Sequence, residues 1–331
     1  MKPCLVDARH RKNVPGRRTD WHQCQWIQYL HAVGLLRSAF RPDGAVCAVR
    51  ALTRHRNDLV QWAAQPIPHM HKSLTQMNLQ IHPVIDDVTG LTGMSIVDAL
   101  WAGEREAGVL AKLRDPHGKA SEETIRKSLV GNWRAEHLFT LKQSRDLYRA
   151  YQQQIVACEE EIEKLLQPFE PRVDPKEKPL PPDGKRNRRR NRRKKYGARE
   201  TRFDLRTESY KLFGADVTQI PGLETLPLPL FSEVGRDMRR WADAGHFASW
   251  LLLCPDNDIS GGRVLWKGMR KGNNRAGQMF RLAANALHHN DTPMGHYLRR
   301  MKATLGPAGA ITATARKIAI IFYTMVNNQV E

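Results

Sequence analysis

Residues 168–200 constrain the fold more than any other stretch, because they cannot form a helix, a strand or part of a core. Their first half is rich in proline, which fixes φ and removes a backbone hydrogen-bond donor. These prolines are Pro168, Pro171, Pro175, Pro179, Pro181 and Pro182. In the second half, every residue from Lys185 to Lys195 is Lys or Arg except two asparagines. A block with this much charge and no apolar side chain stays solvated. The sequence therefore predicts a disordered basic linker between two ordered regions.

The charge of the whole chain points to a polyanionic partner. Its 331 residues contain 53 Lys and Arg against 34 Asp and Glu, a formal net charge of +19. A chain this basic usually meets nucleic acid or an anionic membrane. No stretch approaches about 18 uninterrupted apolar residues, the length that a membrane span needs, and the N-terminus lacks the apolar core of a signal peptide. The sequence therefore favours nucleic acid and argues against a membrane partner.

The basic block of the linker is the first candidate contact with nucleic acid. Its binding would be electrostatic, independent of sequence and sensitive to salt, since each neutralised phosphate releases counterions. The residues expected to contact phosphates here are Arg186, Arg188, Arg189, Arg190, Arg192, Arg193, Lys194 and Lys195.

Cysteine usage indicates a reducing compartment. The five cysteines are odd in number and scattered, with neither a disulfide framework nor zinc-site spacing. They are Cys4, Cys24, Cys47, Cys158 and Cys254. We therefore expect a cytoplasmic protein.

Residues 46–120 are predicted to be helical. One apolar stripe is expected to run along the first helix, with its basic residues facing away. The stripe is Val46, Val49, Leu52, Leu59 and Trp62, and the basic residues are Arg50, Arg54, His55 and Arg56. Pro66 and Pro68 should stop or kink this helix, and a second helix is expected over about 69–81.

Residues 121–167 have the clearest periodicity in the chain. Apolar residues recur seven apart, with a second row three residues later, which is the pattern of a coiled-coil seam. The first row is Leu141, Tyr148, Ile155 and Ile162, and the second is Tyr151, Cys158 and Leu165. We expect a two-helix or intermolecular coiled coil that builds a homo-oligomer, a dimer or a tetramer. A long helix packed inside one subunit is the alternative.

Residues 201–331 are predicted to form a further ordered, mostly helical region. A helix, then Ile220-Pro221-Gly222, then a second helix is similar to a helix–hairpin–helix motif. In that motif, backbone N–H groups at the glycine turn face a DNA phosphate, so Gly222 is a candidate phosphate contact. Three more helices should follow the Asn273-Asn274 pair, with Gly306-Pro307 ending the second and Thr312 capping the third.

The polar loop from Cys254 to Arg263 holds the candidate reactive group. Ser260 stands directly before Gly261 and Gly262, so its hydroxyl is clear of bulky neighbours. The residues that follow are dense in cations suited to phosphate oxygens. These cations are Arg263, Lys267, Arg270, Lys271, Arg275 and Arg281. On spacing alone, Ser260 is either a nucleophile or a turn serine that caps local backbone groups.

Several ordered motifs in this region resemble one protein family. They are Phe247–Leu251, Cys254-Pro255, Ile259–Gly262, Asn274–Ala276, Arg281–Ala284 and Gly309–Ala315. Together they resemble the C-terminal domain of the DEDD-type insertion-sequence transposases, the one-ten family of insertion sequences. The resemblance implies that Ser260 is the nucleophile of DNA strand exchange. It also implies that a structured guide RNA chooses the donor and target DNA.

The segment Asn13–Trp26 resembles the end of the N-terminal nuclease domain of the same family, which has a Holliday-junction-resolvase-like fold. That domain holds four acidic ligands for Mg²⁺, and the last two are aspartates three residues apart. Asp20 matches the first of this pair, whereas Gln23 stands at the second. A neutral amide anchors a hard cation less well than a carboxylate, so helix capping is the alternative role of Asp20. We expect residues 1–45 to be a remnant of this domain, with the earlier acids missing upstream of Met1.

Taken together, these patterns predict a mainly α chain in five parts. The parts are a resolvase-like remnant at 1–45, a helical region at 46–120, a coiled-coil helix at 121–167, the linker at 168–200 and a C-terminal transposase domain at 201–331. We expect a prokaryotic cytoplasmic transposase that binds DNA and a guide RNA and associates with the nucleoid. It would exchange strands through Ser260, helped by a metal-bound acidic site.

Two other interpretations follow from the same residues. Because the acidic site is incomplete, we expect weak or no activity from this chain alone. The chain would then be a non-catalytic nucleic-acid-binding remnant or a dominant-negative dimer partner. A structural RNA-binding protein would explain the charge, but it would not explain the Ser-Gly-Gly motif or the heptads.

Overall fold

The computed structural model describes residues 20–36, 39–182, 201–266, 268–269 and 272–330, and these are mainly helical, as the sequence predicts. The helices are α1 (Asp20–Ala32), α2 (Gly44–Ala64), α3 (Pro66–Gln76), α4 (Leu91–Trp101), α5 (Ala107–Lys112), α6 (Glu122–Ser128), α7 (Ala135–Leu166), α8 (Leu205–Phe213), α9 (Pro227–Val234), α10 (Ala244–Trp250), α11 (Arg275–Asn285) and α12 (Pro293–Asn328). Two 3-10 turns, Val217–Gln219 and Met238–Arg240, and two strands, β1 (Asp258–Ser260) and β2 (Arg263–Trp266), complete the described elements. The chain divides into two compact units, Met1–Cys47 and Ala48–Glu331.

Helix α1 lies in the first unit. The sequence predicts a helix from Trp21 to Leu36, but α1 ends at Ala32 because Gly34 takes a left-handed conformation with φ 71°. A strand that the run Cys4–Val6 predicts lies outside the described residues. A resolvase-like remnant at 1–45 therefore stays a prediction.

The first half of the second unit is a helical bundle around one apolar core. Helix α3 packs along α7, and α4 packs on both α5 and α7. Pro66 takes the first position of α3, where a missing N–H costs no helical hydrogen bond. The prolines thus separate α2 from α3, as predicted, although α3 begins at Pro66 rather than near residue 69. Buried core members include Met70, Met77, Ile96, Leu110 and Leu141.

Helix α7 carries the predicted heptad stripe. Leu141 and Ile162 are buried, and Tyr148 packs against the core of the bundle. The Cys158 thiol donates to the carbonyl of Leu52 in α2, at 3.4 Å. The stripe is thus occupied within this chain, which is the alternative that the periodicity left open. An intermolecular coiled coil stays a prediction.

The arginines of α2 face other segments of the second unit, so the prediction that they face away was wrong. Arg54 donates to both carboxylate oxygens of Glu233 in α9, at 2.8 and 2.9 Å. Arg50 donates to the carbonyls of Ser232 and Glu233, at 2.8 and 2.9 Å, where a helix C-terminus favours a cation. Periodicity could not reveal this arrangement, because Glu233 lies 179 residues from Arg54 along the chain.

A buried ion pair joins α2 to α7. Arg56 Nη2 lies 2.6 Å from Glu159 Oε1, and the two side chains are only 6% and 4% exposed. The other oxygen of Glu159 accepts a hydrogen bond from the backbone N–H of Arg202, at 3.1 Å. One carboxylate therefore connects three segments that are far apart in sequence.

We predict that Glu159→Gln lowers the free energy of unfolding by about 3–5 kcal/mol, because it leaves the Arg56 guanidinium buried without its countercharge. The control is Glu161→Gln in the same helix, where Glu161 is 58% exposed and pairs with Lys164 across the surface. This control should leave stability unchanged. Urea unfolding followed by circular dichroism measures both, and equal losses in the two variants would contradict the assignment.

The proline-rich part of the predicted linker is ordered as far as residue 182. It has neither helix nor strand, as its prolines predict, yet Phe169 packs on Phe231 with ring centroids 5.3 Å apart. The Arg172 N–H also donates to the carbonyl of Lys211, at 2.8 Å. The prediction of disorder is therefore corrected for residues 168–182, whose apolar and backbone groups find partners in the C-terminal half.

Both flanks of the basic block are fixed to the second unit. Arg206 donates to the carbonyl of Pro181 at 2.6 Å and pairs with the fully buried Asp216, also at 2.6 Å. On the other flank, Arg202 is held at Glu159. Both flanks therefore belong to the same compact unit. A linker role for the basic block stays a prediction. Its candidate contacts, Arg186 to Lys195, lie outside the described residues.

The C-terminal half of the second unit folds around aromatic rings. The ring of Phe322 in α12 has its centroid 5.4 Å from Phe213, 5.6 Å from Phe280 and 6.3 Å from Phe247. Contacts of this kind add to the free energy gained by burying the rings. They hold α8, α10, α11 and α12 in one core.

Helix α12 is broken at Gly306, where φ is 70° and ψ is 175°. This is the predicted break, but the second arm begins there and not at Thr312, whose hydroxyl donates back to the carbonyl of Ala308 at 3.1 Å. By length and composition alone, α12 is the one described helix that could cross a membrane. Its apolar face, however, lines the aromatic core.

Cys158 should react slowly with alkylating reagents in the folded protein. Burial raises the pKa of its thiol, although the charge of Arg56 acts in the opposite direction. Less thiolate is then present at pH 8, so iodoacetamide should modify Cys158 at least about 100-fold more slowly than the exposed Cys24. Peptide mass spectrometry gives both rates, and denaturation in urea should make them equal. Comparable rates in the folded protein would show that Cys158 is accessible.

Candidate functional site at the Ser260 hairpin

Ser260 lies at the tip of a β-hairpin, where the sequence predicted only a polar loop. Strands β1 and β2 pair antiparallel, and Gly261 and Gly262 form the two-residue turn between them. Their φ angles are 54° and 76°, and a type I′ turn requires positive φ at both central residues. A Cβ built on either glycine would have no atom within 4 Å. Glycine is therefore required here for its positive φ and not because a side chain would clash. Two glycines between alternating apolar residues were a hairpin signal that the sequence prediction missed.

Ser260 and Arg263 are directly opposite each other across this turn. Directly opposed residues of an antiparallel pair place their side chains on the same face. Both residues are exposed. The hairpin therefore presents a hydroxyl and a guanidinium together at an open tip.

The two ends of the hairpin are held by the start of α11. Asn274 Oδ1 accepts from the N–H of Gly277 at 2.9 Å, which caps the helix. Its Nδ2 donates to the carbonyl of Trp250, also at 2.9 Å. Arg281 donates to the carbonyl of Leu252 at 2.6 Å, and burial lowers the pKa of its guanidinium. This arginine, which the sequence grouped with the phosphate contacts, is an internal anchor.

Gly277 sets how closely α11 approaches the residue before the hairpin. A Cβ at this position would lie 2.2 Å from the carbonyl oxygen of Leu251, which is far inside contact distance. Only glycine therefore permits the observed packing.

We predict that Gly277→Ala lowers the free energy of unfolding by about 1–3 kcal/mol, because α11 must move away from Leu251. Gly108→Ala in α5 is the control, since a Cβ there would meet only Glu106 Oε1 at an ordinary 3.5 Å. The control should be neutral or slightly stabilising. Urea midpoints of the two variants make the comparison, and equal values would disprove the close approach.

The C-terminal part of the chain concentrates positive charge. Residues 259–330 contain eleven Lys and Arg but one acidic residue, Asp291. Arg275 is exposed at the first position of α11, near the foot of the hairpin, and Arg263 is exposed at the tip. The candidate contacts Lys267, Arg270 and Lys271 lie outside the described residues.

Gly222 has a packing role in the structure. Its φ is +91°, and an added Cβ would lie 2.5 Å from the carbonyl oxygen of Ala283 in α11. Helices α8 and α9 flank it as predicted, although a 3-10 turn, Val217–Gln219, intervenes. Contact between Gly222 and a DNA phosphate stays a prediction.

Asp20 and Ser260 belong to different compact units: Asp20 begins α1 in the first unit, and Ser260 lies in the second. A metal-binding role for Asp20 stays a prediction. Among the described residues, no group of three or more His, Cys, Asp or Glu side chains could hold a metal ion.

The region around the hairpin matches a known family. Residues 215–298, less than half of the chain, match the model of the transposase IS116/IS110/IS902 family. This range includes α9, α10, the hairpin and α11. No curated protein matches the chain. The match shows that this part of the chain is similar to insertion-sequence transposases, and it supports a transposase function.

Proposed function

We propose that this transposase exchanges DNA strands through the hydroxyl of Ser260, guided by a structured RNA. The observation that carries the proposal is the pairing of Ser260 with Arg263 at the exposed tip of the hairpin. The hairpin also opens a stretch, residues 259–330, with eleven Lys and Arg and one acidic residue, and it lies inside the matched region.

The proposed chemistry is a phosphoryl transfer. The Ser260 oxygen attacks a DNA phosphorus, a serine–phosphate bond forms, and the bond to the leaving deoxyribose oxygen breaks. The serine proton passes to a base, and the leaving oxygen gains a proton. Attack by the hydroxyl of a second strand then restores the serine and joins the new strands. Arg263 would bind a non-bridging phosphate oxygen and offset the charge that develops there.

A serine hydroxyl is a weak nucleophile and needs a base or a metal close by. Mg²⁺ is implied by the family resemblance, but Asp20 and Gln23 together offer one carboxylate and one amide, which is a poor donor set for this cation. We therefore assign no part of the reaction to a Mg²⁺ ion held by this chain alone. In our proposal the DEDD-type acidic site comes from another polypeptide, such as an intact paralogue.

We further propose that the transposase is a homo-oligomer in the prokaryotic cytoplasm. Since the heptad stripe of α7 is occupied within the chain, the partner copy would contact apolar side chains that α7 leaves exposed. Phe139 and Leu147 of α7 are 54% and 53% exposed. The helix–hairpin–helix role of residues 205–234 belongs to the same proposal.

The second candidate function is a non-catalytic nucleic-acid-binding remnant or a dominant-negative partner. The observation that favours it is Gln23, which stands where the family resemblance implies the second aspartate of the acidic site. It requires nucleic-acid binding but no chemistry at Ser260.

We expect Ser260→Ala to abolish a covalent protein–DNA adduct without changing affinity for DNA. The assay incubates the tagged full chain and an intact paralogue with labelled insertion-sequence ends, the RNA and Mg²⁺, and detects the adduct of the tagged chain on a denaturing gel. Arg263→Lys keeps the charge but loses the planar fork, so adduct formation should slow by about 10–100-fold. Ser249→Ala in α10 is the control serine and should form the adduct normally.

Two further arms separate the candidate functions. A chain extended upstream, with Gln23→Asp, supplies the acids that the family resemblance requires. If only the extended chain forms an adduct, the result would favour the second candidate function, a non-catalytic remnant, for the chain of 331 residues. Binding without an adduct in both forms would refute the serine mechanism.

A further inference from the structure

The break in α12 folds the helix back on itself. Lys317 Nζ lies 4.5 Å from the centroid of the Tyr297 ring, although twenty residues separate the two. In a straight helix, this separation would be about 30 Å. The arms before and after Gly306 must therefore lie side by side.

This fold-back places two cations at one aromatic ring. Besides Lys317, the guanidinium carbon of Arg300 lies 5.6 Å from the centroid of Tyr297. Both cations are exposed, whereas the ring is half-buried. The ring attracts each cation through its quadrupole, so it holds the charged groups of two different helical arms in one place.

No acidic side chain in α12 balances these charges. The 36 residues of the helix contain no Asp or Glu. Within the part of the chain that the structure describes, no carboxylate pairs with Arg300 or Lys317. Asp291, the acid closest in sequence to Arg300, pairs with His296 at 2.8 Å. Two like charges held together repel each other, and an anionic partner would relieve that repulsion.

We propose that Tyr297, Arg300 and Lys317 form a binding site for the phosphodiester backbone of nucleic acid. The proposal deepens the proposed function and rests on it for its biological meaning. Arg300 supplies a planar fork and Lys317 a compact charge, and both suit phosphate oxygens. Tyr297 positions the two charged groups and reduces the conformational freedom of their side chains before nucleic acid binds. Lys317 lies beyond the matched region 215–298, so the site extends the contact surface into the second arm of α12.

The test measures how the affinity of the full chain for nucleic acid depends on salt. Fluorescence anisotropy is recorded with duplex DNA, single-stranded DNA and duplex RNA of one sequence. Losing one phosphate contact should reduce the slope of log K against log salt by about 0.9 on duplex DNA and about 0.7 on single strands. We expect this change, with a several-fold loss of affinity, in Lys317→Ala and in Arg300→Ala.

Conservative and control variants distinguish the loss of a charge from a change in the structure of the site. Lys317→Arg should restore the slope, and Tyr297→Phe should keep it because the aromatic ring remains. Tyr297→Leu should weaken binding with little change in slope, since both charges remain but are no longer held. The matched control is Lys127→Ala, because Lys127 is 72% exposed and pairs with Glu123.

Each outcome decides the proposal. Slopes of Lys317→Ala and Arg300→Ala equal to that of Lys127→Ala would overturn it. A changed slope with one nucleic acid only would assign the site to DNA or to RNA. Ser260→Ala should bind with an unchanged slope, so failure of the serine mechanism and failure of this site give different results.

Discussion

The close approach of α11 to the end of α10 is the contact on which the candidate site depends. Gly277 lets the helix touch the backbone of Leu251, and Asn274 bonds to Trp250 on one side of it. Arg281 fixes Leu252 on the other side. The residues that lead into the hairpin and those that leave it are thus held by one helix. The position of Ser260 follows from backbone contacts that larger side chains would prevent.

The aromatic core gives this contact its rigidity. Phe247 belongs to α10, Phe280 to α11 and Phe322 to α12, and their rings meet. Since the apolar faces of α11 and α12 are buried, the cations of these helices other than Arg281 remain at the surface. In the sequence, the excess of Lys and Arg is a property of composition. In the fold, this positive charge lies on the outer faces of these helices.

The sequence predicts local features of this fold well and long-range partners poorly. The helical class, the proline boundary before α3 and the break at Gly306 follow from local backbone chemistry. The inward-facing Arg54 and Arg56 do not, because their carboxylate partners are far away along the chain. Ser260 was found from its motif, but its pairing with Arg263 needed the hairpin register. The contact of Lys317 with Tyr297 needed the fold-back of α12.

The fixed flanks of the basic block have a further consequence. Arg206 holds Pro181 and Glu159 holds Arg202, so both flanks are held by contacts within one compact unit. These contacts do not involve residues 183–200. Cleavage of the backbone within the block would therefore leave the segments before and after it attached to the same unit.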